Sequence, residues 1–411
     1  VTAAAATEGG LSGAFLNYGP APRSLGMGKA FTAIADDAEA AYFNPAGLFQ
    51  LNAQEVLLAH SQLYGGMRME YVGYALPTRE LGTVSLTILN FGAENVDSRT
   101  PGNNRYDGYL FSENAYSFGY AYNPTHFLGF GANLKLIAKN IAQYSGVGFG
   151  ADIGGLVRGP GPLSFGLVWQ NAIQPQMTLA TVPEIYPQAL RAGAAVRLLN
   201  DRVKASFDLV CTDFARNERR SFTPRGGVEF ELVPDVFVQR VGFDANEISL
   251  GLGLQRYWGK MGLGVDYAFL LHHQSGYRLP PTHKLGLFVS FAGFRVWIDA
   301  KPENFSPTPD EPENVLWMDV RLLSRAQPKR WQLLVKNSFG EVVRSYSGWD
   351  APPMRLTWDG LDDAGRLVAD GRYSYEILVV DKRNSTLKFS GTLTEIRTRG
   401  PQGTIRVRPG R

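Results

Sequence analysis

The stretch ISLGLGLQ, residues 248–255, alternates Ile248, Leu250, Leu252 and Leu254 with Ser249, Gly251, Gly253 and Gln255. Successive side chains of a strand point to opposite faces, so this run makes one wholly aliphatic face and one small or polar face. The next segment repeats the split, with Met261, Leu263, Val265, Tyr267 and Phe269 against Gly262, Gly264, Asp266 and Ala268. Further out, Leu285, Leu287, Val289 and Phe291 oppose Lys284, Gly286, Phe288 and Ser290, and Val84, Leu86 and Ile88 oppose Thr83, Ser85 and Thr87. From about Glu55 to Phe294 this period-two pattern continues in segments of ~8 to 12 residues. The segments near Val56, Tyr71 and Phe237 alternate less cleanly.

The breaks between segments are ordered by length. Short ones fall at 78–81, 123–126, 159–162, 199–202, 233–235 and 258–260. Mostly longer, more polar ones fall between them, at 94–113, 140–145, 171–187, 213–223 and 272–283. Short turns at one end and long loops at the other are the layout of an outer-membrane β-barrel, and the segments number roughly fourteen. An even count returns both chain ends to the periplasmic side. Lipid satisfies no backbone N–H or C=O group, so strands can cross a bilayer only in a closed sheet. Tyr116, Tyr120, Tyr122, Trp169, Tyr257, Trp258 and Trp297 fall mostly at expected strand ends, where amphipathic rings favour the headgroup level.

Composition agrees. The 411 residues include 46 glycines, 12% aromatic and only 19% charged residues, a β-rich profile. With 44% hydrophobic residues the chain can offset the entropy of ordering, which excludes a disordered protein. A net charge of +3 provides no broad basic face, so nucleic acid is not an expected partner. The single cysteine, Cys211, excludes an internal disulfide and a multi-cysteine metal site. No run approaches the ~18 to 20 apolar residues of a membrane-crossing helix. The opening VTAAAATEGG reads as what remains after removal of a signal peptide.

Five regions follow. Residues 1–52 precede the first strand, 53–298 form the barrel, 299–314 are a Pro-rich acidic linker, 315–398 a small all-β module, and 399–411 a basic tail. The module's strand-like runs, VLWMDVRLLS, WQLLVKN, GEVVRSYS, MRLTWDG, YSYEILVVD and LKFSGTLTEIR, are spaced as in an immunoglobulin-like sandwich without a disulfide. The expected fold class is therefore all-β: a roughly 14-stranded antiparallel barrel plus a C-terminal sandwich.

Residues 24–48, SLGMGKAFTAIADDAEAAYFNPAGL, resemble the N-terminal plug, or hatch, of the FadL-type outer-membrane barrels, most closely the PorV/PorQ branch. The resemblance rests on Gly26, Met27 and Gly28, then Asp36, Asp37 and Ala38, then Asn44, Pro45, Ala46 and Gly47. It implies a plug inside the barrel. Residues 30–42 carry helix-forming alanines and paired acids, and Asn-Pro followed by Gly turns the chain into the wall. Asp36, Asp37 and Asn44 are expected to cap the plug and bond it to the wall. Alternation aims Lys135, Asp152, Arg191, Arg197, Lys204, Asp208, Glu229, Glu231 and Asp266 at the lumen, as a mixed-sign polar wall. The C-terminal module resembles the Ig-like domain named after the flagellar hook-capping protein FlgD, through Trp358, Asp359, Gly360, Asp362, Asp363, Gly365, Gly371, Tyr373 and Tyr375.

Catalytic chemistry is not visible. His60, His126, His272, His273 and His283 show no metal-binding spacing on a helix, and no Gly-rich phosphate loop ending in Lys-Ser or Lys-Thr is present. Neither an enzymatic activity nor a cofactor or metal is expected. Asp359, Asp362 and Asp363 read as turn residues, with a calcium site as the less favoured alternative.

The function expected first is an outer-membrane accessory, attachment or scaffold subunit of a protein-secretion or surface-assembly machine, PorV-like and related to type IX secretion. Its partners would be outer-membrane lipid and secretion or surface proteins, with a periplasmic partner for the Ig-like module. Tyr106, Tyr109, Phe111, Ile173, Met177, Ile185, Tyr186, Tyr277 and Leu279, in the long loops, would grip a partner or fold back over the mouth. The alternative is a FadL-like channel for hydrophobic small molecules, with an apolar pocket at the outer loops joined to a lateral opening or a movable hatch. A third reading is a tether from the outer membrane to an envelope scaffold.

Overall fold

The computed structural model describes residues 12–78, 81–96, 108–125, 127–159, 161–199, 201–214, 220–258, 261–273, 279–291, 293–307, 314–324, 327–382 and 386–397. The chain divides into two compact units, Val1–Gly293 and Phe294–Arg411.

The first unit is a closed antiparallel barrel of fourteen strands, as the alternation predicts. Its wall runs through β1 (Gln54–Gln62), β2 (Met67–Pro77), β3 (Thr83–Val96), β4 (Tyr109–Tyr122), β5 (Leu128–Ile141), β6 (Tyr144–Arg158) and β7 (Leu163–Ile173). A two-stranded hairpin, β8 (Gln176–Leu179) and β9 (Val182–Ile185), interrupts it. The wall resumes with β10 (Ala189–Leu198), β11 (Val203–Thr212), β12 (Ser221–Val233), β13 (Phe237–Phe243), β14 (Glu247–Trp258), β15 (Met261–His272) and β16 (Thr282–Phe291). Closure is made by β1 against β16, from Gln54 opposite Phe291 to Gln62 opposite His283. The three weakly alternating segments are β1, β2 and β13.

The faces of the wall are inverted relative to a soluble protein. Leu86, Phe118, Leu134, Ile153, Leu167, Leu209, Leu252 and Leu285 are exposed on the outside, while Lys135, Asp152, Arg191, Asp208, Glu229, Arg240, Asp266 and Lys284 are buried within. Apolar outside and polar inside is the arrangement a hydrocarbon solvent selects, because water would select the reverse. Strands of 12 to 14 residues, such as β14 and β5, exceed the ~9 to 11 needed to cross a bilayer at a tilt.

Residues 12–53 lie inside the barrel as short pieces: 3₁₀ turns at Ala14–Asn17 and Pro45–Gln50 and single helical turns at Pro22–Gly26 and Ala40–Phe43. The alanine content of residues 30–42 predicts more helix than forms. Wall side chains instead satisfy the backbone: Asp208 accepts from the amides of Phe31 and Thr32, and Ser164 and Arg197 donate to the carbonyls of Ala33 and Ile34. A helix would use those same groups internally and leave the wall's polar atoms without partners.

The second unit has two sheets around one core. The smaller sheet orders β17 (Arg295–Lys301), β19 (Leu316–Leu323) and β22 (Arg355–Trp358). The larger orders β18 (Asn304–Phe305), β24 (Thr386–Ile396), β23 (Gly371–Asp381), β20 (Pro328–Lys336) and β21 (Val342–Trp349). Leu316, Met318, Leu333, Trp358 and Ile377 fill the core, and Trp358 donates its indole N–H to the carbonyl of Leu361 at 2.9 Å. The unit starts earlier than the expected boundary at 298. Part of the expected linker 299–314 is strand, since β17 pairs with β19 from Arg295–Leu323 onward and β18 lies beside β24. Trp297 therefore belongs to this unit and not to a barrel girdle. Alternating apolar residues at Val296 and Ile298 supply a core edge, a pattern the neighbouring prolines obscure.

Candidate functional site

The lumen is the candidate site, built from the N-terminal segment and the inward faces of the strands. Two close backbone contacts seat the segment. Gly28, at φ +61°, lies against Gly226 and Phe243, where a Cβ would come within 2.4 Å of the Phe243 nitrogen. On the opposite side a Cβ on Gly154 would meet Asn44 Oδ1 at 2.2 Å. Asn44 is fully buried and uses its whole amide: Oδ1 accepts from the Ala46 amide at 3.1 Å, and Nδ2 donates to the carbonyls of Thr32 at 2.9 Å and Gly155 at 3.1 Å. Pro45 starts the following 3₁₀ turn, where its missing N–H is harmless, and Gly47 packs on Ala35 with no room for a side chain.

Charge pairing then fixes the segment at the short-turn half. Arg23 bonds Asp36 at 2.7 Å and Asp37 at 2.6 Å within the segment and Glu229 of β12 at 2.9 Å. Asp36 also meets Lys204 at 3.1 Å and Arg197 at 3.5 Å, and Arg240 joins Glu229 to Asp266. Near the loop end, Lys29 bonds Asp244 at 2.8 Å and Glu247 at 2.9 Å. Breaking one member of such a buried network leaves uncompensated charge, at a cost of about 3–5 kcal/mol.

Thus Gly26, Gly28, Asp36, Asp37, Asn44, Pro45 and Gly47 all contact wall or segment; Arg197, Lys204, Asp208 and Glu229 bond the segment directly, and Asp266 is joined to Glu229 through Arg240. Arg191 behaves differently. It has no ion-pair partner among the described residues, donates to Gln170 at 2.7 Å and stacks over Tyr42 and Phe43 at 6.0 and 5.7 Å. Sequence reasoning missed Arg23, Lys29, Glu39 and Glu55, which sit outside or at the edge of the alternating strands, and Arg225 and Arg240, which follow the inward parity of β12 and β13.

Lys135 and Asp152 serve the wall itself. Between β6 and β7 the ladder jumps from Ala151 opposite Ile173 to Ile153 opposite Trp169, so β7 carries two surplus residues. The bulge places Asn171 at φ +54° and turns its amide onto Asp152 at 2.7 Å, while Lys135 bonds Asp152 at 2.7 Å and also reaches the Asn171 side chain. Side chains thus replace the ladder at this point.

Directly beyond it toward the loop end, the β8–β9 hairpin folds inward. Pro175 covers Gly150 and Met177 covers Gly146, and Lys139 holds the hairpin through Glu184 at 2.9 Å. Around it Phe15, Tyr18, Phe91 and Phe111 stack, with Phe91 centred 6.2 Å from Phe15 and 5.7 Å from Phe111. Phe111, Met177 and Tyr186, expected as loop residues that grip a partner or fold back over the mouth, face the lumen; Tyr186 is wholly buried and Phe111 lies within β4. Apolar loop side chains have no reason to stay in water when glycine-lined wall is within reach. Ile185 is half-buried at the end of the hairpin, and Ile173 is exposed at the end of β7. Tyr106 and Tyr277 lie outside the described residues, as does the side chain of Tyr109.

Among the described residues no group of three or more His, Cys, Asp or Glu is arranged to hold a metal ion. In the second unit, Asp359, Asp362 and Asp363 accept backbone amides of Leu361, Ala364, Arg366 and Ser345, so these carboxylates serve turns.

No protein-family model matches the chain, and no curated protein matches it in sequence. Among solved structures, it is similar to a FadL homologue of Pseudomonas aeruginosa, with 10% identity and a TM-score of 0.50 over 66% of this chain and 98% of that one. The two share a barrel fold. The toluene transporter TodX of Pseudomonas putida aligns at 12% identity and a TM-score of 0.49, and the monoaromatic hydrocarbon channel CymD at 13% and 0.48. Each covers 66% of this chain and 97% of its own.

Proposed function

We propose that this chain is an outer-membrane barrel that passes hydrophobic small molecules, taking them in at the long-loop end and releasing them sideways through the wall. The observation that carries the reading is the broken ladder between β6 and β7 lying next to the apolar cluster of Phe15, Phe91, Phe111 and Met177. A lumen blocked by ion-paired plug offers an apolar solute no axial path, because stripping those charges of their partners costs more than burying a small solute returns. A sideways exit needs only the Lys135–Asp152–Asn171 bridge to open. The FadL-like barrel fold supports the assignment to this class of wall. In this reading residues 12–53 are a hatch that stays seated, and the short-turn end faces the periplasm.

This order reverses the one reached from sequence, where secretion or surface assembly came first, because three of the residues assigned to partner binding, Phe111, Met177 and Tyr186, turn inward. One observation still favours an attachment role: in the second unit Phe339, Trp349 and Met354 are 88%, 75% and 87% exposed, which passage of a small molecule does not require. An Ig-like periplasmic module docking an assembly partner would use them.

The test is to delete Asn171 and Ala172, the surplus residues, which restores a regular ladder without changing strand parity. Uptake of a radiolabelled aromatic hydrocarbon by cells expressing the variant should fall to the level of cells lacking the protein, while the purified barrel keeps its β circular dichroism. Undiminished uptake by the shortened protein would reject the lateral route. Absence of uptake by the unaltered protein, with stoichiometric copurification of a secreted or surface protein, would place the attachment role first.

A further inference from the structure

At the short-turn end of the lumen a cavity of about 240 Å³ opens beside the ion-pair network. Since a single water needs only about 10–15 Å³ measured in this way, the space suits a larger ligand. Its charge does not balance. The four bases Arg23, Arg197, Lys204 and Arg240 pair with the four acids Asp36, Asp37, Glu229 and Asp266. Four further carboxylates, Glu39, Glu55, Glu231 and the exposed Asp201, line the same cavity and have no ion-pair partner among the described residues. Glu55 Oε1 accepts only the Ala38 amide, at 2.9 Å. Glu39 is 1% exposed; its Oε1 accepts a long bond from the Ser24 amide at 3.4 Å, and its Oε2 has no hydrogen-bond partner. A carboxylate buried to that degree requires a donor, and an anionic pair requires positive charge.

Next to these carboxylates the lining is apolar, formed by Leu57, Val238, Phe288 and the ring of Tyr257. Leu57 and Phe288 are direct cross-strand partners on β1 and β16, two residues along the strand from the Glu55 pair. An inorganic cation has no use for that surface, whereas an alkylammonium ion has use for both: N–H donors for the carboxylates and methylenes for the apolar side. We infer that the cavity binds a small organic cation of the alkylamine class, with a short diamine matching Glu39 and Glu55, the two carboxylates beside the apolar lining.

The experiment is isothermal titration of the full-length protein in detergent with putrescine, with butylamine and sodium chloride at matched ionic strength as comparisons. Putrescine should bind at one site per chain, more tightly than butylamine, with sodium giving only heats of dilution. Glu39→Gln, which keeps the shape and removes the charge, should weaken putrescine about tenfold or more, as loss of one charged hydrogen bond does. Glu55→Gln provides a second, independent variant with the same expectation. Putrescine heats equal to those of sodium chloride would overturn the inference, since the surplus charge would then be carried by protons or by any cation. Wild-type putrescine affinity in both variants would overturn it too, by placing the binding elsewhere.

Discussion

Asn44 carries out three bonds with one side chain, capping the turn that follows it and holding two carbonyls, one of the segment and one of the wall. Alanine there would lose the cap and leave the Thr32 and Gly155 carbonyls without that donor in a buried setting. The expected cost is about 2–3 kcal/mol, read as a lowered denaturant midpoint of the detergent-solubilised barrel. A change below about 0.5 kcal/mol, the level of an ordinary surface substitution, would show that the segment is not held at this point. The motif Asn44-Pro45-Ala46-Gly47 was legible in sequence because each member has a distinct local role. Glu39 was not. Its significance comes from an atom left without a donor, a property of surroundings assembled from distant strands.

At the scale of the element, the wall strands obey two solvents at once. Leu252 of β14 is 44% exposed between Gly251 and Gly253, whose faces are buried. In water, Leu252→Arg would be close to neutral. In a bilayer, an arginine on the lipid face costs about 2–4 kcal/mol near the midplane. Folding into lipid vesicles, followed by denaturant titration, should give a penalty in that range, and its absence would mean this face does not meet hydrocarbon. The bulge at Asn171 belongs to this scale as well. From sequence, residue 171 read as the start of a long loop, since a bulge interrupts alternation just as a loop does.

For the whole molecule, the two units have separate cores, one built around the N-terminal segment and the other around Trp358. A chain ending at Gly293 should therefore fold and insert in lipid unaided, with β circular dichroism and the same denaturant midpoint as the barrel in the full protein. Loss of folding on this truncation would show that the barrel depends on the second unit. Hydrocarbon uptake by the truncated chain separates the functional readings, because lateral passage requires nothing beyond residue 293, whereas attachment through the second unit does.

Alternation along the chain was enough to specify strands, roughly fourteen of them, a closed barrel and which face of the wall is apolar, because a period of two and the ordering of short and long breaks are local, linear properties. The same locality made Gly28, Asn44 and the inward acids and bases of β11 and β12 readable. The tertiary structure alone decided three things: that the segment from 30 to 42 forgoes helix for bonds to the wall, that the β8–β9 hairpin turns its apolar side chains inward, and that charge pairing leaves Glu39 and Glu55 over. Each depends on which groups from remote strands arrive at the same place, since a backbone amide, a methionine or a carboxylate takes the partner that leaves the fewest polar atoms bare and the least apolar surface in water.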